Sequence, residues 1–203
     1  VKTRTRNLQA GDSKLPNWWA QISVSMFPFP KRSSYSIKLQ KLKILTEEIR
    51  LALLQNPNEA NQIMEGIETL HKSKLLTDKH LQALFQNPSQ AKSIATAIQT
   101  LNNSNILTDE HLGYILSSRG HSHSLSIALG LRDLNNGRIL IKENVDCLLA
   151  HPGQAMYIST DLLSLHRQGL LNEEMRALRV KDPENEGIVR CITLLHRAEL
   201  LTE

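Results

Sequence analysis

The sequence predicts an all-α protein: an α-solenoid of about five stacked 31-residue helix-turn-helix repeats, with an irregular N-terminal segment. Three observations carry this expectation. The phrase "ILTEEIRLALLQNP" at 44–57 returns as "LLTDKHLQALFQNP" at 75–88 and as "ILTDEHLGYIL" at 106–116, each time 31 residues on. Within each copy apolar residues recur at helical intervals, as at Leu81, Leu84 and Phe85. Alternation of β-branched residues at period two, the mark of strands, is missing.

Aligned on the Leu/Ile pair that opens each phrase, the units run 44–74, 75–105, 106–138, 139–169 and 170–199, with a sixth begun at Leu200. The first helix of a unit opens at Thr46, Thr77 or Thr108, where a hydroxyl can accept from the free N–H groups of the first turn. Glu47, Asp78 and Asp109 follow, suited to the positive end of the helix dipole. The second helix is expected at "NP". Asn56 and Asn87 read as N-caps, Pro57 and Pro88 as first helical residues, and Glu59 and Gln90 complete the capping-box spacing. Asp182–Pro183 repeats the pattern, and His151–Pro152 keeps only the proline. A stripe such as Ala91, Ile94, Ile98, Leu101 then marks one helical face, matched by Ala155, Ile158, Leu162, Leu165.

One hairpin of this kind cannot bury its stripe alone, whereas stacked neighbours can. A compact bundle of the same helices is the alternative. The third unit is two residues longer and replaces "NP" with the turn "SSRGHSHS" at 117–124. Arg119, His121 and His123 in this turn are candidate binding residues, because insertions in such arrays project from one edge. The first and fifth units also differ, with Ile49–Arg50 and Met175–Arg176 where the middle units have His80–Leu81, His111–Leu112 and Asn144–Val145. Atypical ends suit a capped array, while the restart at "LLTE" suits a chain interrupted within a repeat.

Residues 1–43 stand apart. They hold nine Lys/Arg and one acid, Asp12, for a net +8, while residues 44–203 hold 15 Lys/Arg and 19 acids, for a net −4. Five of the eight aromatics also lie there: Trp18, Trp19, Phe27, Phe29 and Tyr35. Beyond a short helix expected at 35–42, the segment reads as a flap over the first unit or as a basic arm for an anionic membrane. The acidic balance of the body argues against a nucleic-acid groove. No apolar run is long enough for a membrane-spanning helix, and the basic N-terminus lacks a signal peptide's apolar core. A start at Val1 rather than Met points to cleavage or trimming.

The candidate chemistry mostly dissolves into the repeat. His80 and His111 share one position, three residues past the threonine cap, and are expected to serve capping at the surface. His71, Asn102, Asn135, His166 and His196 form a second column, one residue after the last Leu of the stripe. There an imidazole or amide can bond free helix carbonyls. The same column could instead hold the backbone of an extended peptide, one side chain per unit. The His121/His123 pair lacks the further ligands of a zinc site. Cys147 and Cys191 align with small core residues and are expected to be buried thiols in a reducing compartment. No nucleophile, phosphate-loop or dinucleotide motif is present, so neither catalysis nor a cofactor is expected.

The phrases "LLTDKHLQALFQNPSQAKSIATAIQTLNNSNILT" and "ILTEEIRLALLQNPNEANQIMEGIETLHKSKLLT" resemble a helical repeat of type IV-secreted effector proteins of intracellular bacterial pathogens. The resemblance covers residues 44–203. The third unit departs from it by lacking N-P, and the fourth by Ile141 in place of Thr. It implies delivery into the host cytoplasm and an interaction role, not a reaction. The expected function is therefore a non-catalytic scaffold for a host protein. The alternatives are a tether through residues 1–43 and, third, an enzyme with a dispersed site.

Overall fold

The computed structural model describes residues 44–117, 121–183 and 186–197. The helix expected at 35–42 and the aromatic segment before it lie outside that range. The chain divides into two units at Thr46/Glu47, and the second holds every described helix.

Ten α-helices and no strand lie among the described residues, in five consecutive pairs. The first helices are short: Glu47–Gln55 (α1), Asp78–Gln86 (α3), Asp109–Leu116 (α5), Lys142–Ala150 (α7) and Glu173–Lys181 (α9). The second helices are longer: Ala60–Lys72 (α2), Ala91–Asn103 (α4), Ser124–Asn136 (α6), Ala155–Arg167 (α8) and Glu186–Arg197 (α10).

Thr77 and Thr108 cap α3 and α5, accepting from the backbone N–H of His80 at 3.3 Å and of His111 at 3.1 Å. Asn172 takes the same role for α9, while Ile141 leaves α7 without a side-chain cap. The second helices begin differently from the expectation. Asn56 and Asn87 are not N-caps. Their amides turn back and donate to the carbonyls of Ala52 (2.9 Å) and Ala83 (3.1 Å), closing the end of the preceding helix. A 3-10 turn at Pro88–Gln90 then precedes α4, and its counterpart at Pro152–Gln154 precedes α8. In that turn the Gln90 N–H already donates to the Asn87 carbonyl, so the unsatisfied groups nearest the Asn amide are the carbonyls behind it.

The long helices form a row in chain order: α2 packs on α4, α4 on α6, α6 on α8 and α8 on α10. Each of α1, α3, α5 and α7 packs on the second helix of its own pair, and α7 also meets α9. Residues four and three apart supply the buried stripes: Ile63, Ile67, Leu70 in α2, Ile94, Ile98, Leu101 in α4, and Ile127, Leu131, Leu134 in α6. Each such side chain contributes about 1.5–3 kcal/mol on burial, so the row dominates the stability of the fold.

Two glycines let the row close up. A Cβ at Gly66 of α2 would stand 2.8 Å from the Ala91 carbonyl oxygen of α4, and one at Gly130 of α6 would stand 2.9 Å from that of Ala155 in α8. The same two positions also face Leu84 and Leu148, the core leucines of α3 and α7. In α4 the equivalent residue is Ala97, and in α8 it is Asp161. Arg179 of α9 occupies the column of Leu84 and Leu148. The last interface therefore replaces a glycine–leucine contact with an ion pair. The Arg179 guanidinium, its side chain 1 % exposed, lies 2.9 Å from the Asp161 carboxylate. It also donates to the carbonyls of Asp182 and Pro183.

Candidate functional site

The shared column at the ends of the long helices is built by the backbone. Lys74, Asn105 and Arg138 take the left-handed conformation at φ 59°, 56° and 60°, and Gly169 at 72°. Their N–H groups donate to the carbonyls of His71, Asn102, Asn135 and His166, while the next N–H reaches one turn back to Leu70, Leu101, Leu134 and Leu165. This is the Schellman closure of a helix C-terminus. The expectation that imidazoles and amides of the column cap those carbonyls is thus corrected: main-chain N–H groups do so. The side chains project from the edge. Only Asn135 has a described bond, 3.4 Å from its Nδ2 to the Ser104 carbonyl at the end of the preceding long helix.

His71, Asn102 and Asn135 are half-buried and His166 is exposed. His196 is also exposed, but its register differs. Leu195 before it is 42 % exposed, whereas Leu165 before His166 is fully buried. Val189, 3 % exposed, takes the place of Ile158 in α8, so the pattern of α10 has slipped by one residue. The same slip corrects Cys191, which is exposed rather than buried, in the place of exposed Thr160.

The histidines three residues past the threonine caps are also not surface groups. His80 is 8 % exposed, and its Nδ1 donates to the Leu75 carbonyl at 2.6 Å. His111 Nδ1 does the same to the Ile106 carbonyl at 2.5 Å, and the fully buried Asn144 donates to the Ile139 carbonyl at 2.8 Å. All three clamp the short linker that enters their helix. Both rings must carry the proton on Nδ1, because a carbonyl only accepts.

In the longer turn of the third unit, His121–His123 forms a 3-10 turn ahead of α6. The His123 ring lies against Gly153, 3.3–3.6 Å from where a Cβ would stand. Arg119 and the His121 side chain fall outside the described residues. Among the described residues no group of three His, Cys, Asp or Glu could hold a metal ion, and no helix is long and apolar enough to cross a membrane.

Two open clefts lie near the C-terminal end. One, of about 680 Å³ between α7 and α9, is lined by Cys147, Arg176, Ala177 and Val180 with Glu143, Asp146 and Glu173. Burial pushes the Cys147 thiol up despite the Arg176 charge beside it, so it is a poor nucleophile at neutral pH. The other, of about 540 Å³ between α8 and α10, is lined by Tyr157, Thr160, Asp161, Ser164, Val189, Arg190, Thr193 and Leu194. The sequence reading missed this cleft. Its signal was available: an acid in a glycine/alanine column and an arginine in a leucine column. Comparison of the chain with family models, curated proteins and solved structures finds no match.

Proposed function

We propose that the chain is a non-catalytic protein–protein interaction scaffold, an α-solenoid whose repeats present a continuous surface to a protein partner. The observation that carries this reading is the row of long helices packed in chain order, brought close by Gly66 and Gly130. A row of this kind buries its stripe between neighbours and leaves an extended polar surface, the usual platform of helical-repeat proteins. The resemblance of the "LLTD…NP" phrases places the partner in a host cell and the chain among secreted bacterial effectors or their fragments. That placement rests on the sequence phrases alone. The edge column His71, Asn102, Asn135, His166 and His196 is the candidate contact for an extended peptide.

The test is affinity capture from host-cell lysate with residues 1–203 and, in parallel, 44–203. A specific protein is expected with both. Capture of none by either would overturn the scaffold. The column makes a sharper demand: Asn102→Ala with Asn135→Ala should abolish capture while helical circular dichroism is retained, and unchanged capture excludes the column. The charge of residues 1–43 favours a second reading, an anionic-membrane tether. Salt-sensitive binding to phosphatidylserine vesicles that survives deletion of 1–43 would rule that out.

A further inference from the structure

The groove between α8 and α10 differs from every other junction in the row. Where α2 and α6 offer glycine to the following helix, α8 offers Asp161, and its carboxylate is held by buried Arg179. Contact between α8 and α10 is the thinnest of the row among the described residues. The space so left is walled on one side by Tyr157, Thr160, Asp161 and Ser164, which follow at i, i+3, i+4 and i+7 along two turns of α8. Val189, Arg190, Thr193 and Leu194 form the facing wall.

The apolar exposure of the molecule concentrates here. Leu194 is 63 % exposed, Tyr157 48 %, Leu195 42 % and Met156 37 %, all on these two helices. Single exposed apolar residues are ordinary, but a cluster along a groove marks a binding surface. The charge around it is one-sided. Asp161 is engaged by Arg179, whereas Arg190 and, at the end of α8, Arg167 stand exposed.

We propose that this groove docks an acidic amphipathic helix of a partner protein, seating an apolar side chain against Tyr157, Val189 and Leu194 and a carboxylate on Arg190. The proposal rests on the scaffold reading and specifies one of its surfaces. A helix presents apolar residues at i, i+4 and i+7, the length of the two-turn wall. Its acidic flank meets the exposed arginines, and a basic flank would be repelled by them.

The experiment uses the full chain and three fluorescent peptides: a Leu/Glu amphipathic helix, the same helix with Lys for Glu, and a shuffled Leu/Glu peptide. Fluorescence anisotropy should show the first binding at least about tenfold more tightly than the others. Leu194→Glu should weaken it about tenfold without moving the melting temperature, because the side chain is exposed. Arg190→Glu should transfer preference to the Lys peptide. Equal binding of all three peptides, no binding at all, or full affinity in Leu194→Glu overturns the groove. A partner captured from lysate equally by Leu194→Glu and by the unsubstituted chain would leave the scaffold standing without this groove. Failure of capture by the unsubstituted chain would remove the scaffold itself.

Discussion

Lys74 and Arg138 sit in a backbone region that L-residues with a Cβ avoid, at a cost of roughly 1–2 kcal/mol each. They persist because the turn closes a helix end and launches the next one within a few residues. Gly169 fills the same position without that penalty and with open space around it. Lys74→Gly should therefore stabilise the chain by about 0.5–1 kcal/mol, seen as a higher denaturant midpoint at unchanged m-value. A lower midpoint would mean that Lys74 makes a compensating contact. Tyr114 carries a second residue-scale prediction. Its hydroxyl donates to the Glu110 carboxylate, which, with burial and the charges of Glu110 and Asp146, pushes the phenol up to about 12. A raised folded-state value means that the protonated phenol is favoured in the fold. The contribution is complete below about pH 10 and is lost as pH rises toward 12. Absorbance titration of the phenolates should show one late step, which Tyr114→Phe removes.

The spacing of helices is decided where two elements touch. At Gly66 a methyl group would meet main-chain oxygen of α4, which has no rotamer in which to retreat. Gly66→Ala should destabilise by about 1–3 kcal/mol, measured by thermal or chemical unfolding. The junction of α8, α9 and α10 uses charge in place of small size. Removing one partner leaves a buried, uncompensated ion, so Asp161→Ala should cost about 3–5 kcal/mol. Asp161→Gly with Arg179→Leu restores the residue pair of the earlier junctions and should recover most of that loss. A double variant as unstable as the single one would show that the end of the row is built on the pair itself. Such coupling is expected only between contacting sites, and a double-mutant cycle isolates it.

Over the whole molecule, protection should follow position in the row. Helices α4 and α6 are packed by long helices on both flanks, while the principal neighbour of α10 is α8. Native-state hydrogen exchange should therefore be slowest in α4 and α6 and fastest in α10, with opening spreading from that end. Uniform protection across all ten helices would indicate a single cooperative unit instead.

The repeat period, the helical class, the threonine caps of α3 and α5 and the buried stripes were legible in the sequence. All of them follow from local patterning: apolar spacing, cap chemistry and proline placement act within one or two turns. The direction in which the Asn56 and Asn87 amides point was not legible, because an amide at a helix junction can serve either helix and only the path of the 3-10 turn selects one. Nor was the use of His80, His111 and Asn144 as linker clamps, since their acceptors become reachable only after the chain bends. Cys191 and His196 were misplaced because a one-residue slip in α10 rotates its faces, and burial rather than spacing reveals it. The groove at Asp161 and Arg179 was decided by tertiary structure alone. Two charges unremarkable in the sequence become a buried pair only when α8 and α9 meet, and that pair stands where small and apolar residues had let the helices close.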